Sequence, residues 1–277
     1  MLVVVSITSL ILAISVPTFN SVRRKARSML SMRNQREVVI ALDFFASDNR
    51  DRYPDSVATV GFDDKWNWSD PTKMIGTRGR TPRVHRSMSA YLQPYITSAE
   101  MMYCPSAPNR YKYLDEAWAA GDDWDNPDTP VVSDPFTGTY CFYWNYVGYL
   151  PETESLFRGP SGPASVGRYS KLLMTDYFGY DHWRSPGAFG SCERLDGGEV
   201  VEETWLLSSY WSTEGDPEAG LPNVSLLAAF TDGHVETYTP SDAVPMKVSI
   251  TPNGQPPYPD GTGPGDFYIP RTALPQR

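Results

Sequence analysis

The chain has 277 residues and a formal net charge of −9, and 40% of its residues are hydrophobic and 13% aromatic. This length and aromatic content exclude a disordered chain and predict one large folded domain or two small ones. The composition changes along the chain, because no Gly precedes Gly61 and Pro17 is the only one of 25 Pro before Pro54. We therefore predict two parts, a helical spine of residues 1–52 and a globular head of residues 53–277.

The two parts also differ in charge. Residues 1–36 contain six basic residues and no acidic one, so 18 basic residues remain against 33 acidic ones and give the rest of the chain a net charge of −15. Nucleic acids are bound through basic surfaces that replace the counterions of the phosphates. The acidic head therefore argues against nucleic acid as a partner.

The first segment, residues 1–19, reads MLVVVSITSLILAISVPTF and precedes the first charged residue, Arg23. An uncharged stretch of about 20 residues rich in Val, Ile and Leu is long enough to cross a bilayer as a helix. We therefore predict a membrane anchor over residues 1–20, with Leu2 to Val16 as its apolar core. A cleaved secretory signal and a buried helix of a soluble protein are the alternatives.

Helical periodicity continues beyond this segment. Apolar residues recur at steps of three and four, which is the period of an α-helix with one apolar face. These residues are Val22, Ala26, Met29, Leu30, Val38, Ala41, Leu42 and Phe45. We predict one helix from residue 1 to about residue 49, kinked at Pro17 and ended by the turn-forming residues 47–54. Within it, Val38, Leu42 and Phe45 form the stripe on which the head docks.

An apolar helix interrupted by Ser, Thr and one Pro, followed by an amphipathic half that ends in Tyr53-Pro54, resembles the N-terminal segment of type IV pilins and of type II secretion pseudopilins. The Cys104-Pro105 pair and the segment TDGHVE at 231–236 resemble members of this group with large heads. The resemblance implies an α+β fold, with the long helix on an antiparallel sheet and large loop-rich insertions. It also implies an exported head, whereas the basic residues after the anchor favour a cytoplasmic head under the positive-inside rule.

Members of this family carry a short basic leader that ends in Gly, and their mature chains begin Phe-Thr-Leu-x-Glu. The sequence contains no such motif, and Met1 would directly follow that Glu. We therefore expect the codons upstream of Met1 to encode the leader and the motif in frame. Upstream codons that encode neither would contradict this expectation.

The head has the short elements and frequent turns of an α+β domain. We predict a short helix over residues 87–97, interrupted at Pro94. Strand-like composition marks four segments, which are residues 137–150, 169–178, 200–211 and 223–238. Asp232-Gly233 lies between two strand-like runs and predicts a tight hairpin turn. The Pro- and Gly-rich tail, residues 240–277, is predicted to be an extended loop over the sheet.

The sequence predicts no catalytic, cofactor-binding or metal-binding residues. It contains no Gly-x-Ser-x-Gly, no His-Glu-x-x-His and no phosphate-binding or dinucleotide-binding motif. The segment from Gly261 to Gly265 precedes no amphipathic helix and is interpreted as a flexible turn. The His residues are His85, His182 and His234, of which the last is interpreted as a hairpin residue. We therefore expect a protein that is not an enzyme, with an anchored hydrolase as a further alternative.

Two groups of side chains each allow two interpretations, one of which is a binding site, for Ca²⁺ in the first group and for sugars in the second. Four carboxylates and one amide share a loop that is either solvated or holds Ca²⁺ through oxygen ligands. These residues are Asp122, Asp123, Asp125, Asn126 and Asp128. Aromatic residues at Trp66-Asn67-Trp68 and from Tyr140 to Tyr149 either stack on sugars or fill the core.

The three Cys residues, Cys104, Cys141 and Cys192, are widely spaced and contain no Cys-x-x-Cys motif. They allow at most one disulfide, with one thiol left over. Their spacing does not indicate whether that disulfide forms.

The resemblance implies one function above others, a pilin-like structural subunit of a type II secretion or type IV pilus-like filament. Such a pseudopilin assembles through its hydrophobic N-terminal helix and needs no cofactor. Expected partners are other pilin or pseudopilin subunits, the inner-membrane assembly platform, prepilin peptidase and the lipid bilayer. The expected location is the inner membrane, crossed once, with a periplasmic or extracellular head. The alternative is a membrane-anchored protein that uses the same export route and binds glycans outside the cell.

Overall fold

The computed structural model describes residues 2–58, 71–74, 87–108, 115, 118–119, 138–165, 167–180, 187–202, 209–214, 220–247 and 266–275. Within these residues the protein is α+β, with a long N-terminal helix packed on antiparallel sheets, as predicted. The helices are α1 (Leu2–Asp48) and α2 (Met88–Leu92), and 3₁₀ turns lie at Ala99–Met102, Pro151–Thr153, Pro240–Asp242 and Arg271–Ala273.

The described strands form two sheets. They are β1 (Tyr140–Phe142), β2 (Val147–Leu150), β3 (Ser155–Arg158), β4 (Leu172–Asp176), β5 (Phe178–Tyr180), β6 (Gly187–Gly190), β7 (Glu199–Glu202), β8 (Ser209–Glu214), β9 (Leu226–Phe230), β10 (Val235–Tyr238), β11 (Ala243–Lys247) and β12 (Asp266–Pro270). Four strands pair in the order β1-β4-β9-β10, and eight pair in the order β3-β2-β11-β12-β5-β6-β8-β7. All these pairings are antiparallel.

The four-stranded sheet lies between α1 and the eight-stranded sheet. Successive side chains of a strand point to opposite faces of its sheet. Along β1, Tyr140 and Phe142 pack in the core that contains Leu42 of α1. Cys141 packs instead in a second core, which also contains Phe189 of the eight-stranded sheet. The head is therefore built in three layers, and strands β1, β4 and β9 of the middle sheet are buried on both faces.

Helix α1 has 47 residues and continues through Pro17 without interruption. At 1.5 Å per residue it is about 70 Å long. Val38 and Leu42 are fully buried against the head. Phe45 is half-buried and makes edge-to-face contacts with Tyr91 and Tyr95. The predicted stripe is therefore the part of α1 that carries the head.

The N-terminal part of the predicted apolar face of α1 does not pack on the head. Val22, Met29 and Leu30 are exposed, and Ser31 is the first buried residue along α1 among those described. The described strands of the four-stranded sheet have three to five residues each, so this layer is much shorter than the helix. Periodicity shows which side of a helix is apolar, but not how far along that side the partner extends.

The end of α1 falls within residues 47–54, as predicted. The backbone N–H groups of Asn49 and Asp51 donate to the carbonyl of Ala46, which closes the last turn. Arg50 and Asp51 then take positive φ angles of 60° and 58°. Gly162 touches this turn so closely that a Cβ atom there would lie 2.2 Å from the carbonyl oxygen of Asp51. A side chain at this position would push the turn away from the head.

The predicted hairpin is present as β9 and β10. Gly233 in its turn has a φ of +81°, a conformation that glycine adopts without a steric penalty. The ring of His234 stacks on Phe230, with ring centroids 4.4 Å apart, and its Nδ1 atom contacts the carboxylate of Asp232. His234 is therefore a hairpin residue, in agreement with its interpretation from the sequence.

The other predicted elements are present with shorter bounds. Segment 87–97 contains α2, which begins after Ser87, whose hydroxyl accepts from the N–H of Ala90. Segment 137–150 contains β1 and β2 as two strands, because a turn near Asn145, whose φ is +50°, separates them. The strand predicted over 169–178 contains β4, and the one over 200–211 overlaps β7 and β8.

The predicted loop over residues 240–277 is wrong for the part that the structure describes. Strands β11 and β12 belong to this tail and pair with each other from Ala243↔Pro270 to Lys247↔Asp266. They lie in the middle of the eight-stranded sheet, between β2 and β5. Phe267 and Ile269 alternate with more exposed residues, which is the pattern of a half-buried strand. The high Pro and Gly content of the tail obscured this short alternation.

Candidate assembly surface

The N-terminal half of α1 presents a large exposed apolar surface. From Val3 to Phe19 the side chains that the structure describes are exposed, and Leu10, for example, is 64% exposed. Residues 3–10 are all exposed and make more than two helical turns, so the exposure extends around the whole helix. Soluble monomers rarely expose an apolar surface of this extent. This half of α1 is therefore suited to bind another apolar surface.

The membrane anchor predicted over residues 1–20 lies in this half. Within the described part of the chain, no helix combines the length and the apolar character that a membrane span requires. A membrane-crossing role for residues 1–20 therefore stays a prediction from the sequence, as does a kink at Pro17.

A basic collar lies between the exposed apolar half and the head. It consists of Arg23, Arg24, Lys25 and Arg27, all of which are exposed. The Nη1 atom of Arg24 lies 3.7 Å from a carboxylate oxygen of Glu193, in the loop after β6. Such an exposed ion pair contributes at most about 1 kcal/mol to stability. The collar thus places most of its positive charge at the surface of the molecule.

The docked half of α1 also keeps apolar residues on its outer side. Ile40 and Phe44 lie opposite the buried stripe, and Phe44 is 59% exposed. Outside α1, Val200 on β7 is an exposed large apolar residue, at 45%. Among the described residues, the other exposed large apolar side chains all belong to α1. The apolar surface of this protein is therefore concentrated on its long helix.

Beneath α1, polar side chains form a junction with the four-stranded sheet. Asp176, at the end of β4, is 2% exposed. Its Oδ1 atom accepts from Nε2 of Gln35 at 2.9 Å, and its Oδ2 atom accepts from the backbone N–H of Leu227 at 3.0 Å. Ser31 and the phenol of Tyr140 share a hydrogen bond of 2.9 Å. One carboxylate thus connects the helix to two neighbouring strands.

The environment of Asp176 changes its acidity. Burial raises the pKa of Asp176 to about 7, because a charged carboxylate loses its hydration there. Hydrogen bonds from Leu227, Gln35 and Ser31 act in the opposite direction and lower this pKa, while the charge of Glu193 raises it further. The environment of Asp176 therefore favours the neutral carboxyl more than water does.

Cys104 and Cys192 form a disulfide beside this junction. Their Cα atoms are 5.8 Å apart, and 88 residues separate them along the chain. Cys104 follows the 3₁₀ turn Ala99–Met102, and Cys192 follows β6. Cys141 is buried and is not part of the disulfide. The pairing that the sequence left open is thus resolved in favour of one bridge.

Sequence reasoning missed the polar junction, although a signal for it exists. Ser31, Asn34 and Gln35 precede Val38 and Leu42 at steps of three and four, so they occupy core positions of the amphipathic helix. Polar residues at such positions need buried partners. The partner, Asp176, comes from a distant strand and carries no local signal in the sequence.

Most of the rings between Tyr140 and Tyr149 fill the core. Tyr140, Tyr143, Trp144 and Tyr146 are almost fully buried, which excludes them as an exposed face for stacking on sugars. The sugar-binding interpretation of this segment is therefore wrong. Several other residues considered above lie outside the described residues. These are Trp66, Trp68, His85, His182, the acidic residues from Asp122 to Asp128, and the segment from Gly261 to Gly265.

No protein-family model, no curated protein and no solved structure matches this chain. The comparisons therefore add no family, activity or partner to the geometry described above. The arguments for function rest on the long helix, its exposed apolar half and the head that it carries.

Proposed function

We propose that the protein is a pilin-like structural subunit, a pseudopilin of a type II secretion or type IV pilus-like filament. In this role residues 1–20 anchor the subunit in the inner membrane before assembly and pack against other subunits in the filament. The head lies on the periplasmic or extracellular side. Partners are other pilin-like subunits, the inner-membrane assembly platform and prepilin peptidase.

One observation carries this proposal, the division of α1 into two halves with different surroundings. The half from Ser31 to Ala46 contributes to the core of the head, whereas the half from Val3 to Phe19 is apolar in sequence and its described side chains are exposed. Exposure of an apolar helix to water is unfavourable, so in this proposal lipid or the same helix of other subunits surrounds this half. A subunit that moves from a bilayer into a filament meets both environments.

The disulfide between Cys104 and Cys192 agrees with an exported head. Disulfides persist in oxidising compartments such as the bacterial periplasm and are rare in the cytosol. The basic collar favours the opposite orientation, because positive residues next to a membrane span are retained in the cytoplasm. The proposal therefore requires that an N-terminal export signal determines the orientation.

The test is the presence of the protein in surface filaments sheared from cells that produce it. We expect the wild-type chain in the sheared fraction and the Leu10→Asp variant only in the cell fraction, because a carboxylate at this position interrupts the apolar packing surface. Val200→Asp is the matched control, since it alters an exposed apolar residue of the head, and it should reach the filaments as the wild type does.

Two results would contradict the proposal. One is the absence of the wild-type head from sheared or cross-linked assemblies, together with binding to a glycan array, which is the result that an anchored glycan-binding protein predicts. The other is equal assembly of Leu10→Asp and wild type. Because Leu10 lies outside the head, the urea unfolding midpoint of the head should be the same in both chains, which excludes misfolding as the cause of a loss.

A further inference from the structure

Three potential metal ligands meet beneath α1 from distant parts of the sequence. Cys104 follows a 3₁₀ turn, Asp176 ends β4, and Cys192 follows β6. Their sulfur atoms and a carboxylate oxygen all lie within 4.8 Å of one another. Thiolate and carboxylate together form a donor set that suits Zn²⁺ and similar thiophilic divalent ions.

The carboxylate of this group is buried without a cation beside it. No basic side chain of the described residues lies within salt-bridge distance of Asp176. A buried charge without a counterion is costly. The hydrogen bonds from Gln35 and Leu227 fix the orientation of the carboxylate, as outer residues do for the ligands of metal centres. The carboxylate is therefore held in one orientation, and no described basic side chain lies within salt-bridge distance of it.

A cavity of about 190 Å³ adjoins the three residues. Its lining includes Ser31, Ser106 and Glu193. The hydroxyl of Ser31 shares a hydrogen bond with Tyr140, and the carboxylate of Glu193 accepts from the N–H of Ser225 and pairs with Arg24. Arg24 and Lys25 of the basic collar line the same cavity. The space is sufficient for a water molecule or a fourth protein ligand to complete a tetrahedral site.

We propose that Cys104, Cys192 and Asp176 bind Zn²⁺, or a divalent ion of similar preference, when their disulfide is reduced. With a phosphine as reductant, the S–S bond breaks, the two sulfurs take protons from water, and the phosphine becomes its oxide. Zn²⁺ then displaces the two thiol protons and forms two Zn–S bonds. The oxidised and the metal-bound forms exclude each other, because the disulfide sulfurs are no longer thiolates.

Zinc binding requires the two sulfurs, which are bonded to each other in the disulfide, to move apart. Two sulfur atoms bound tetrahedrally at about 2.3 Å from zinc lie roughly 3.8 Å apart. The sulfurs therefore separate from bonding distance while staying within the present cluster. Two thiolates and one carboxylate carry three negative charges, of which the ion neutralises two. The cavity wall adds the positive charges of Arg24 and Lys25 and the negative charge of Glu193, which pairs with Arg24.

The test measures zinc bound to the full chain under anaerobic conditions, by equilibrium dialysis and elemental analysis. We expect one zinc per chain after reduction with a phosphine, and none in the oxidised chain. Cys104→Ser and Cys192→Ser should each remove the binding, whereas Cys141→Ser is the matched control and should retain it. Gln35→Ala should weaken the affinity about 10- to 100-fold, because it releases the carboxylate of Asp176 from its fixed orientation.

Replacement of zinc by Co²⁺ in the wild-type chain gives a second readout that needs no variant. Two thiolate ligands produce an intense sulfur-to-cobalt charge-transfer band, which we expect in the reduced chain and not in the oxidised one. A reduced chain that stays folded and binds no zinc overturns the proposal, as does one that unfolds and is not refolded by zinc. A cobalt spectrum without the thiolate band also overturns it. These outcomes do not depend on whether the protein forms filaments.

Discussion

Asp176 connects the layers of the molecule through a single carboxylate. One of its oxygens accepts from Gln35 on α1 and the other from the backbone of β9, so neither element can shift without loss of a buried hydrogen bond. The Oε1 atom of Gln35 has no hydrogen-bond partner among the described residues. A neutral side chain at position 176 that both donates and accepts would therefore satisfy more of this junction than the carboxylate does.

We predict a pH-dependent stability that originates at Asp176 in the disulfide form. Its pKa is raised from 3.8 to about 7 by burial, so the folded state binds more protons than the unfolded state between these values. The contribution of Asp176 to the free energy of unfolding therefore falls as pH rises through this interval and is constant above it.

Urea unfolding of wild type and Asp176→Asn at pH 5 and pH 8 measures this contribution. We expect the wild type to lose more stability than the variant between the two values. The asparagine carbonyl can accept from Leu227, and its amide can donate to Oε1 of Gln35 after that amide rotates. The same pH dependence in both chains would show that Asp176 does not carry the effect.

A second prediction at this scale concerns Asn145. Its φ is +50°, and its amide donates to the carbonyls of Tyr53 and Pro54 at 3.1 and 2.8 Å, which holds the end of the spine to the head. Asn145→Ala loses both bonds and adds backbone strain, so we expect a loss of about 3 kcal/mol in unfolding free energy. Asn145→Gly loses the bonds without the strain and should cost about 1–2 kcal/mol. Equal losses in urea titrations of the two variants would exclude the backbone contribution.

At the scale of elements, substitutions on the two sides of the docked half of α1 should affect the stability of the head differently. Leu42 is fully buried against the four-stranded sheet, whereas Phe44, two residues later, is mostly exposed. We expect Leu42→Ala to lower the unfolding free energy by about 2–5 kcal/mol, because it leaves a cavity. Phe44→Ala should change it by no more than about 0.5 kcal/mol. Urea denaturation of the monomer measures both effects. A large loss of unfolding free energy in Phe44→Ala would contradict the assignment of the docking face to the side of Leu42.

Elements with a strong local pattern could be predicted, and elements without one could not. The length of α1 and its stripe follow from the absence of Gly and the helical period, and the β9–β10 hairpin follows from Asp232-Gly233. β11 and β12 were missed because each has five residues and Pro occurs in both. The Cys104–Cys192 bridge and Asp176 depend on contacts between distant segments, for which a single sequence contains no period or spacing.

The importance of the tail strands is testable with one pair of substitutions. Ile269 on β12 is fully buried in the second core, and Lys247 on β11 pairs with Asp266 at 3.1 Å near the surface. We expect Ile269→Ala to cost about 2–4 kcal/mol in unfolding free energy. Lys247→Ala removes a partly exposed ion pair and should cost less than about 1 kcal/mol. Comparable small losses for both would indicate that the tail is peripheral.

At the scale of the whole molecule, the net charge opposes the association of subunits that we propose for the helix. Each chain carries a net charge of −9, with the acidic excess outside residues 1–36. Subunits that pack side by side bring these acidic heads together. Raising the ionic strength from about 0.01 M to about 0.15 M shortens the Debye length from about 30 Å to about 8 Å and screens the repulsion. We expect the assembled fraction, measured by sedimentation, to rise with salt, and a fall would indicate attraction between collar and head.

The position of β11 and β12 also determines when the head can finish folding. One group of strands, β2 and β3, and another, β5 to β8, are joined within the sheet through this late pair. Until residues 243–270 have left the ribosome, the pairings of β2 with β11 and of β5 with β12 cannot form, and the facing edges of the two groups stay unpaired. In a chain synthesised from its N-terminus, the eight-stranded sheet is therefore completed only after residue 270 has emerged.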